Sequence, residues 1–255
     1  MSWDRDGWAR LGVVLEPGEL EALRAELDAW APSAPTNAYG LLFHNLWWEL
    51  PGFRRLVASG EIARKILDAT NHNELVLFQD NLVCKLPGNP TEIQWHQDAS
   101  YWPLSGWQGV TSWLCLDDAD AVNGAMEHVP GSHRWGVRAP ADFIRGAGQP
   151  DDSGLPPLEP EGRPRIVADA RAGELLIHHP LLWHRSGPNQ SSRPRRAWSV
   201  NWISPDLRWD LAHAPHPYTW ALSPPDGGPV QGERFPRFRR EHLAIDAERR
   251  QTAGR

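Results

Sequence analysis

The sequence predicts a mainly β fold with flanking helices, a double-stranded β-helix of the jelly-roll or cupin-like barrel type, and three observations carry that expectation. Short apolar segments recur from Leu75 to Ile203, separated by Gly, Pro and Asn turns. The 24 Pro and 22 Gly work against long helical periodicity. Apolar residues at helical spacing are concentrated before residue 73. The 255 residues suit one domain, with helical support over about 1–72, a jelly-roll core over about 73–204 and a tail over 205–255.

Taken in order, Gly12-Val-Val-Leu15 reads as a short strand. Glu16-Pro17-Gly18-Glu19 then opens an amphipathic helix with Leu20, Leu23, Leu27 and Trp30 on one face, stopped by Pro32 and Pro35. A second helical stretch runs from about Pro51 to Ala69, with a break at Ser59-Gly60. Strands follow at Leu75–Leu86, Glu92–Asp98, Val110–Leu116, Arg165–Val167, Glu174–His178 and Ala197–Ile203. Such short strands, closed into a barrel, place inward-facing side chains around one cavity. Ala139–Pro164 is polar, rich in Pro, Gly and Asp, and longer than ordinary connections, the profile of a lid or an insertion. The tail carries Arg234, Arg237, Arg239 and Arg240, read as a solvated face, and Ala244–Arg255 reads as a frayed helix.

A net charge of −6 with scattered Lys and Arg disfavours a nucleic-acid surface, so a small-molecule partner is expected. No apolar run reaches the roughly 18 residues of a membrane span, which argues against a membrane partner. Met-Ser-Trp-Asp-Arg-Asp lacks signal-peptide blocks, and a cytoplasmic location is expected. Cys84 and Cys115, in apolar strands, read as buried free thiols. Fifteen Trp are enough to line an apolar pocket or to thicken a core. The oligomeric state stays open between monomer and homodimer.

The chemistry centres on Gln94-Trp95-His96-Gln97-Asp98. In a strand, residues i and i+2 share a face about 6.5 Å apart, so His96 and Asp98 converge while Gln97 faces away. A ferrous oxygenase site needs such a pair and one further His, with the opposite side of the metal open. His-x-Asp alone is weak: 11 His and 17 Asp give about 0.7 such pairs by chance. The odds change with His184-Arg-Ser-Gly-Pro-Asn189 and Arg195, eleven residues after His184.

With Trp113-x-x-Leu116-Asp117-Asp118, Asn123-Gly124, Val129-Pro130-Gly131-Ser132-His133 and Gly173-Glu174-x-x-x-x-His179 set between these, the chain resembles the phytanoyl-CoA dioxygenase-like family of Fe(II)/2-oxoglutarate oxygenases. The resemblance runs from about Leu75 to Ile203. It implies Fe(II) bound by His96, Asp98 and His184, with 2-oxoglutarate and O2 as co-substrates. His178 and His179 are rival third ligands, read as structural. The resemblance gives the distal carboxylate of 2-oxoglutarate to Arg195, a role for which a planar guanidinium is suited. Arg193 and Arg196 compete for it, although strand alternation puts Arg196 on the opposite face. The resemblance also nominates Trp113, Ser186 and Asn81 around 2-oxoglutarate. Gln94, on the face of His96 and Asp98, is a candidate donor to 2-oxoglutarate or substrate. His133 reads as part of a structural turn.

Tyr101, Trp102 and Trp107 follow the metal strand, and Trp135 and Trp183 adjoin the other site segments. Together they suggest an aromatic substrate chamber, with His44 covering it from the N-terminal side. The implied reaction is oxidation, hydroxylation first, of an unactivated C–H bond of a small organic metabolite, giving succinate and CO2. Asp98 disfavours halogenation, which needs a small residue there. Rival readings are a cupin-like metal enzyme without 2-oxoglutarate, which Arg195 disfavours, and a non-catalytic jelly-roll binding protein. No basic cluster adjoins the site segments, which favours a small secondary metabolite or amino-acid derivative over a CoA thioester.

Overall fold

Alternating strand residues need two apolar layers to cover them, and in a computed structural model of the chain they form two antiparallel sheets facing each other. The structure describes residues 2–31, 42–138 (backbone alone at 42–44), 140, 164–213 and 221–243. The strands are β1 (Trp8–Val13), β2 (Leu42–His44), β3 (Glu74–Lys85), β4 (Ile93–His96), β5 (Gly109–Cys115), β6 (Met126–His128), β7 (Ile166–Val167), β8 (Glu174–His178), β9 (His184–Ser186), β10 (Arg195–Ile203) and β11 (Arg237–Arg239). The larger sheet runs β1-β8-β5-β10-β3-β11, with β2 also on β3, and the smaller runs β4-β9-β6-β7. From β3 to β5 and again from β8 to β10 the chain alternates between the sheets, which is the winding of the expected double-stranded β-helix.

The central strand β10 shows how sequence alternation sorts the layers. Trp198, Val200 and Trp202 join Leu27, Phe53 and Ile66 of the helices in one apolar cluster. Ala197 faces the other way, clustering with Val83, Trp113 and Cys115 of the larger sheet and with Ile93 and Met126 of the smaller. Strand β5 is buried along its whole length because it is covered on both faces.

The helices brace the outer face of the larger sheet. These are α1 (Trp3–Asp6), α2 (Pro17–Trp30), α3 (Leu46–Glu49), α4 (Pro51–Ser59) and α5 (Glu61–Ala69). Helix α2 starts with Pro17 in its first turn and a capping box between Glu16 and Glu19, and buries Leu20, Leu23 and Leu27 as the spacing predicts. The break expected at Ser59-Gly60 separates α4 from α5; Gly60 has φ +68°, and a Cβ there would meet Leu243.

Several expectations are corrected. Strand β1 lies earlier than Gly12–Leu15, because its pairing with β8 begins at Trp8 and shifts register between Arg10 and Gly12. The metal strand stops at His96, and Asp98 opens a 3-10 turn over Asp98–Tyr101. The tail arginines keep the expected solvated face at Arg237 and Arg239, which are exposed while pairing with Glu74 (3.4 and 3.0 Å); Arg234 lies over the Trp48 ring, and Arg240 donates to the Leu67, Thr70 and His72 carbonyls at the end of α5. Pro32, Pro35, residues 141–163 of the expected lid and 244–255 lie outside the described residues.

Candidate metal centre

Strands β4 and β9 pair with His96 opposite His184, bringing the two imidazoles to a centroid separation of 4.1 Å. Asp98 joins them because the chain turns after β4, a correction to the strand-periodicity argument. Gln97, facing away as expected, fixes that turn: its amide donates to the Gly136 and Leu181 carbonyls at 2.8 Å each and accepts from the Arg138 N–H. Asp98 Oδ1 then lies 3.7 Å from His96 Nε2 and 3.5 Å from His184 Nε2. The three donor atoms fall within 4.8 Å of one another, close enough for one ion to reach all three.

The protonation pattern suits a cation. His96 Nδ1 lies 2.8 Å from the Gln94 carbonyl and His184 Nδ1 lies 2.9 Å from the Leu182 carbonyl. Each Nδ1 therefore carries the proton and leaves the Nε2 lone pair toward Asp98. Burial keeps both imidazoles below their ordinary range. Burial works to raise Asp98, and the hydrogen bond at His178 Nε2 helps to hold the carboxyl below the usual range against it. Two neutral imidazoles and a carboxylate on one side fit ferrous iron better than the softer thiolate-seeking metals.

His178 is not part of that set. Its Nε2 lies 3.0 Å from Asp98 Oδ2, the oxygen turned away from the other two histidines. The His179 ring lies tilted against that of His133, centroids 5.2 Å apart, and its Nδ1 accepts from the Leu181 N–H.

Arg195 lies on the inward row of β10 and is 1% exposed, yet its Nε and both terminal nitrogens have no hydrogen-bond partner among the described residues. Its guanidinium lies 5.5 Å from the Trp113 ring. The buried Ser186 hydroxyl, two residues beyond His184 on β9, is likewise without a partner. A buried guanidinium with idle donors is chemically suited to a planar carboxylate. The competitors are engaged elsewhere: Arg196 pairs with Asp117 (2.8 Å) and Asp28 (2.7 Å), and Arg193 is 53% exposed and pairs with Asp120.

Lys85 stands directly opposite Arg195 in the β3–β10 pair and was not anticipated. Its ammonium donates to the carbonyls of Thr91 and Ser186 (3.1 Å each) and of Gly187, tying the end of β3 to the turn that follows β9. Gly124 makes room for that turn. It has φ +82°, and a Cβ would sit 2.6 Å from the Gly187 oxygen, which accounts for the Asn123-Gly124 motif. The available signal for Lys85 was a lysine closing the apolar run Leu82-Val83-Cys84. Thr111, Asn201 and Gln79, which lead to Asp98 Oδ2, carried no such mark.

The remaining candidates separate. Asn81 lies opposite Ser199 on the inward row of β3, and the backbone of His44 lies opposite Asn81; the His44 side chain is outside the described residues. Tyr101 is half-buried, its ring 6.3 Å from that of His96, at the edge of the triad. Gln94 directs its amide to Glu92 at 3.3 Å while its carbonyl serves His96, so the expected donor points elsewhere. Trp102, 2% exposed, packs with Phe78, Leu104 and Trp209 in an apolar cluster; this is a core position rather than a chamber wall. Trp135 packs against Trp95, Val129 and Trp183. Trp107 is 40% exposed.

Comparisons with known proteins agree with this geometry. A family model described as phytanoyl-CoA dioxygenase (PhyH) matches residues 3–197. The chain is 33% identical over 140 residues to a phytanoyl-CoA dioxygenase of Arabidopsis thaliana, covering 52% of this chain and 47% of that protein. It is 28% identical to a probable alpha-ketoglutarate-dependent hypophosphite dioxygenase of Stutzerimonas stutzeri, covering 58% and 53%. The chain thus spans about half the length of these two relatives. Against the dioxygenase lolE1 of Epichloe uncinata it is 26% identical, covering 86% and 90%. Among solved structures, the epimerase SnoN in complex with Fe3+, alpha ketoglutarate and nogalamycin RO aligns with a TM-score of 0.75 at 24% identity, covering 92% and 95%. The alpha ketoglutarate dependent carbocyclase SnoK aligns with a TM-score of 0.74 at 22% identity, covering 92% and 93%. At these identities the structural matches show a shared fold.

Proposed function

Because the chain belongs to the phytanoyl-CoA dioxygenase family, we propose that it is an Fe(II)- and 2-oxoglutarate-dependent oxygenase that hydroxylates a C–H bond of a small organic metabolite. The observation that carries this reading is Arg195, buried with idle donors on the same barrel interior as the His96, Asp98 and His184 triad. His96, Asp98 and His184 would hold the iron. Bound there, iron supplies the oxidation of the C–H bond by dioxygen, coupled to conversion of 2-oxoglutarate to succinate and carbon dioxide.

The residues of the chain contribute binding and orientation. Arg195 takes the distal carboxylate in a two-point contact, with Ser186 able to donate a third hydrogen bond, so the co-substrate enters in one orientation. Trp113 forms an apolar wall against the guanidinium, and burial strengthens the ionic contact by excluding water. Tyr101, half-buried with its ring 6.3 Å from that of His96, is a candidate to meet a substrate.

The test is succinate formation by the iron-loaded protein across a panel of amino-acid derivatives and secondary metabolites, with products examined for one added oxygen atom. Substrate-dependent succinate with a hydroxylated product is the expected result. Products without added oxygen would replace hydroxylation by desaturation or ring closure. Absence of 2-oxoglutarate turnover, with or without substrate, would overturn the reading.

A further inference from the structure

The two oxygens of Asp98 have separate surroundings. Oδ1 faces the Nε2 atoms of His184 and His96 at 3.5 and 3.7 Å. Oδ2 accepts the Thr111 hydroxyl at 2.6 Å and lies 3.0 Å from His178 Nε2. The direction of the Thr111 proton is fixed from behind. Gln79 Nε2 donates to Asn201 Oδ1 at 3.0 Å, and Asn201 Nδ2 donates to Thr111 Oγ1 at 3.0 Å. With its oxygen accepting from Asn201, the hydroxyl has its one hydrogen left for Asp98.

These groups form a single line across the larger sheet. Gln79 of β3 is the register partner of Asn201 of β10, Asn201 that of Thr111 of β5, and Thr111 that of His178 of β8. Each donor in the chain from Gln79 points toward the carboxylate, an arrangement in which successive hydrogen bonds polarise one another.

We propose that this cross-strand row is a positioning device that reserves Oδ2 and so keeps Asp98 a one-oxygen ligand. The inference rests on the metal-site reading above. Its consequence concerns the open side of the site: a second carboxylate oxygen on the ion would occupy a position that a two-histidine, one-carboxylate site leaves for co-substrates. Thr111 and His178 are positioning residues here, since they act on the ion through Asp98.

The experiment loads the full-length protein with Mn(II) and measures water-proton relaxation, which counts exchangeable water on the ion, together with 2-oxoglutarate affinity. Thr111→Val keeps the β-branched shape and removes the donor. Thr111→Val/His178→Phe leaves Oδ2 with neither partner. Both variants are expected to show lower relaxivity than wild type and weaker 2-oxoglutarate binding, by about tenfold in the double variant, within the range for loss of a partner to a metal ligand. Thr111→Ser is expected to restore both readouts. Wild-type values in a double variant with native circular dichroism would overturn the proposal, and so would Thr111→Ser behaving as Thr111→Val does. If the double variant does not fold, the single Thr111→Val variant decides by the same readouts. Failure of the wild-type protein to bind Mn(II) would overturn the metal-site reading as well, which separates the two failures.

Discussion

Lys85 and Arg195 face each other across the β3–β10 pair as two buried cations, one saturated by backbone carbonyls and the other with its donors unused. The difference assigns their work. Burial, and then the Arg195 guanidinium, push the Lys85 ammonium down to about 7, while burial lowers Arg195 to about 10. Lys85 holds the turn that follows β9, and under the proposed reading the distal carboxylate of 2-oxoglutarate at Arg195 would offset that mutual repulsion.

Arg195→Ala should therefore raise the 2-oxoglutarate requirement by on the order of a hundredfold, the loss of a charge-assisted contact worth a few kcal/mol, while metal affinity stays near wild type. Lys85→Met should act differently. Three carbonyls lose their donor, so the unfolding midpoint should fall together with 2-oxoglutarate affinity. Titration of 2-oxoglutarate into metal-loaded protein, beside urea denaturation, distinguishes the two. An Arg195→Ala variant with unchanged 2-oxoglutarate affinity would remove the receptor role.

The third ligand can be tested against its rival. Under anaerobic conditions Fe(II) with 2-oxoglutarate should give a weak visible charge-transfer band that disappears in His96→Ala, Asp98→Ala and His184→Ala, with loss of metal occupancy. His178→Ala should keep the band at reduced metal affinity, because it removes a hydrogen-bonding partner of Asp98 and leaves the triad in place. The reverse pattern, a band lost with His178 and kept without His184, would show that the wrong histidine is assigned.

Much of this site was readable along the chain because its signals are local. His96 and Asp98 are two residues apart, Ser186 follows His184 on a short strand, and the Ser59-Gly60 break and the limits of β8 are set by neighbouring residue types. The Gln79, Asn201 and Thr111 row was not readable. Its members are 122 and 90 residues apart in sequence, and each looks like an ordinary polar residue in a strand until the register aligns them. The same holds for β2 and β11: strands of three residues have no period to detect, and they exist because β3 is long enough to pair with both. Trp102 failed as a chamber residue for the opposite reason. It stands near the metal strand in sequence, but the tail residues Trp209 and Phe235, more than a hundred positions later, bury it.

Asp80 provides a pH test of the support behind the barrel. It lies on the outer row of β3, fully buried, and its Oδ2 accepts from the Trp198 indole at 2.6 Å and the Trp47 N–H at 3.1 Å. Burial raises this carboxyl to about 7 against the pull of those donors. An unfolded-chain Asp titrates near 3.9, so between about pH 4 and pH 7 the folded protein retains a proton that the unfolded chain has released. In that window the folded state binds more protons, and stability must fall as pH rises; above about 7 the penalty is constant. A shift of this size corresponds to a few kcal/mol at most, on the order of 1.4 for each pH unit. Asp80→Asn copies the protonated acid in shape and keeps an oxygen for Trp198 and Trp47, but it cannot ionise. Urea denaturation from pH 4 to pH 8 should show wild type losing stability relative to Asp80→Asn as pH rises, with the gap levelling above about pH 7. A gap that does not vary with pH would mean that Asp80 does not change its protonation across this range.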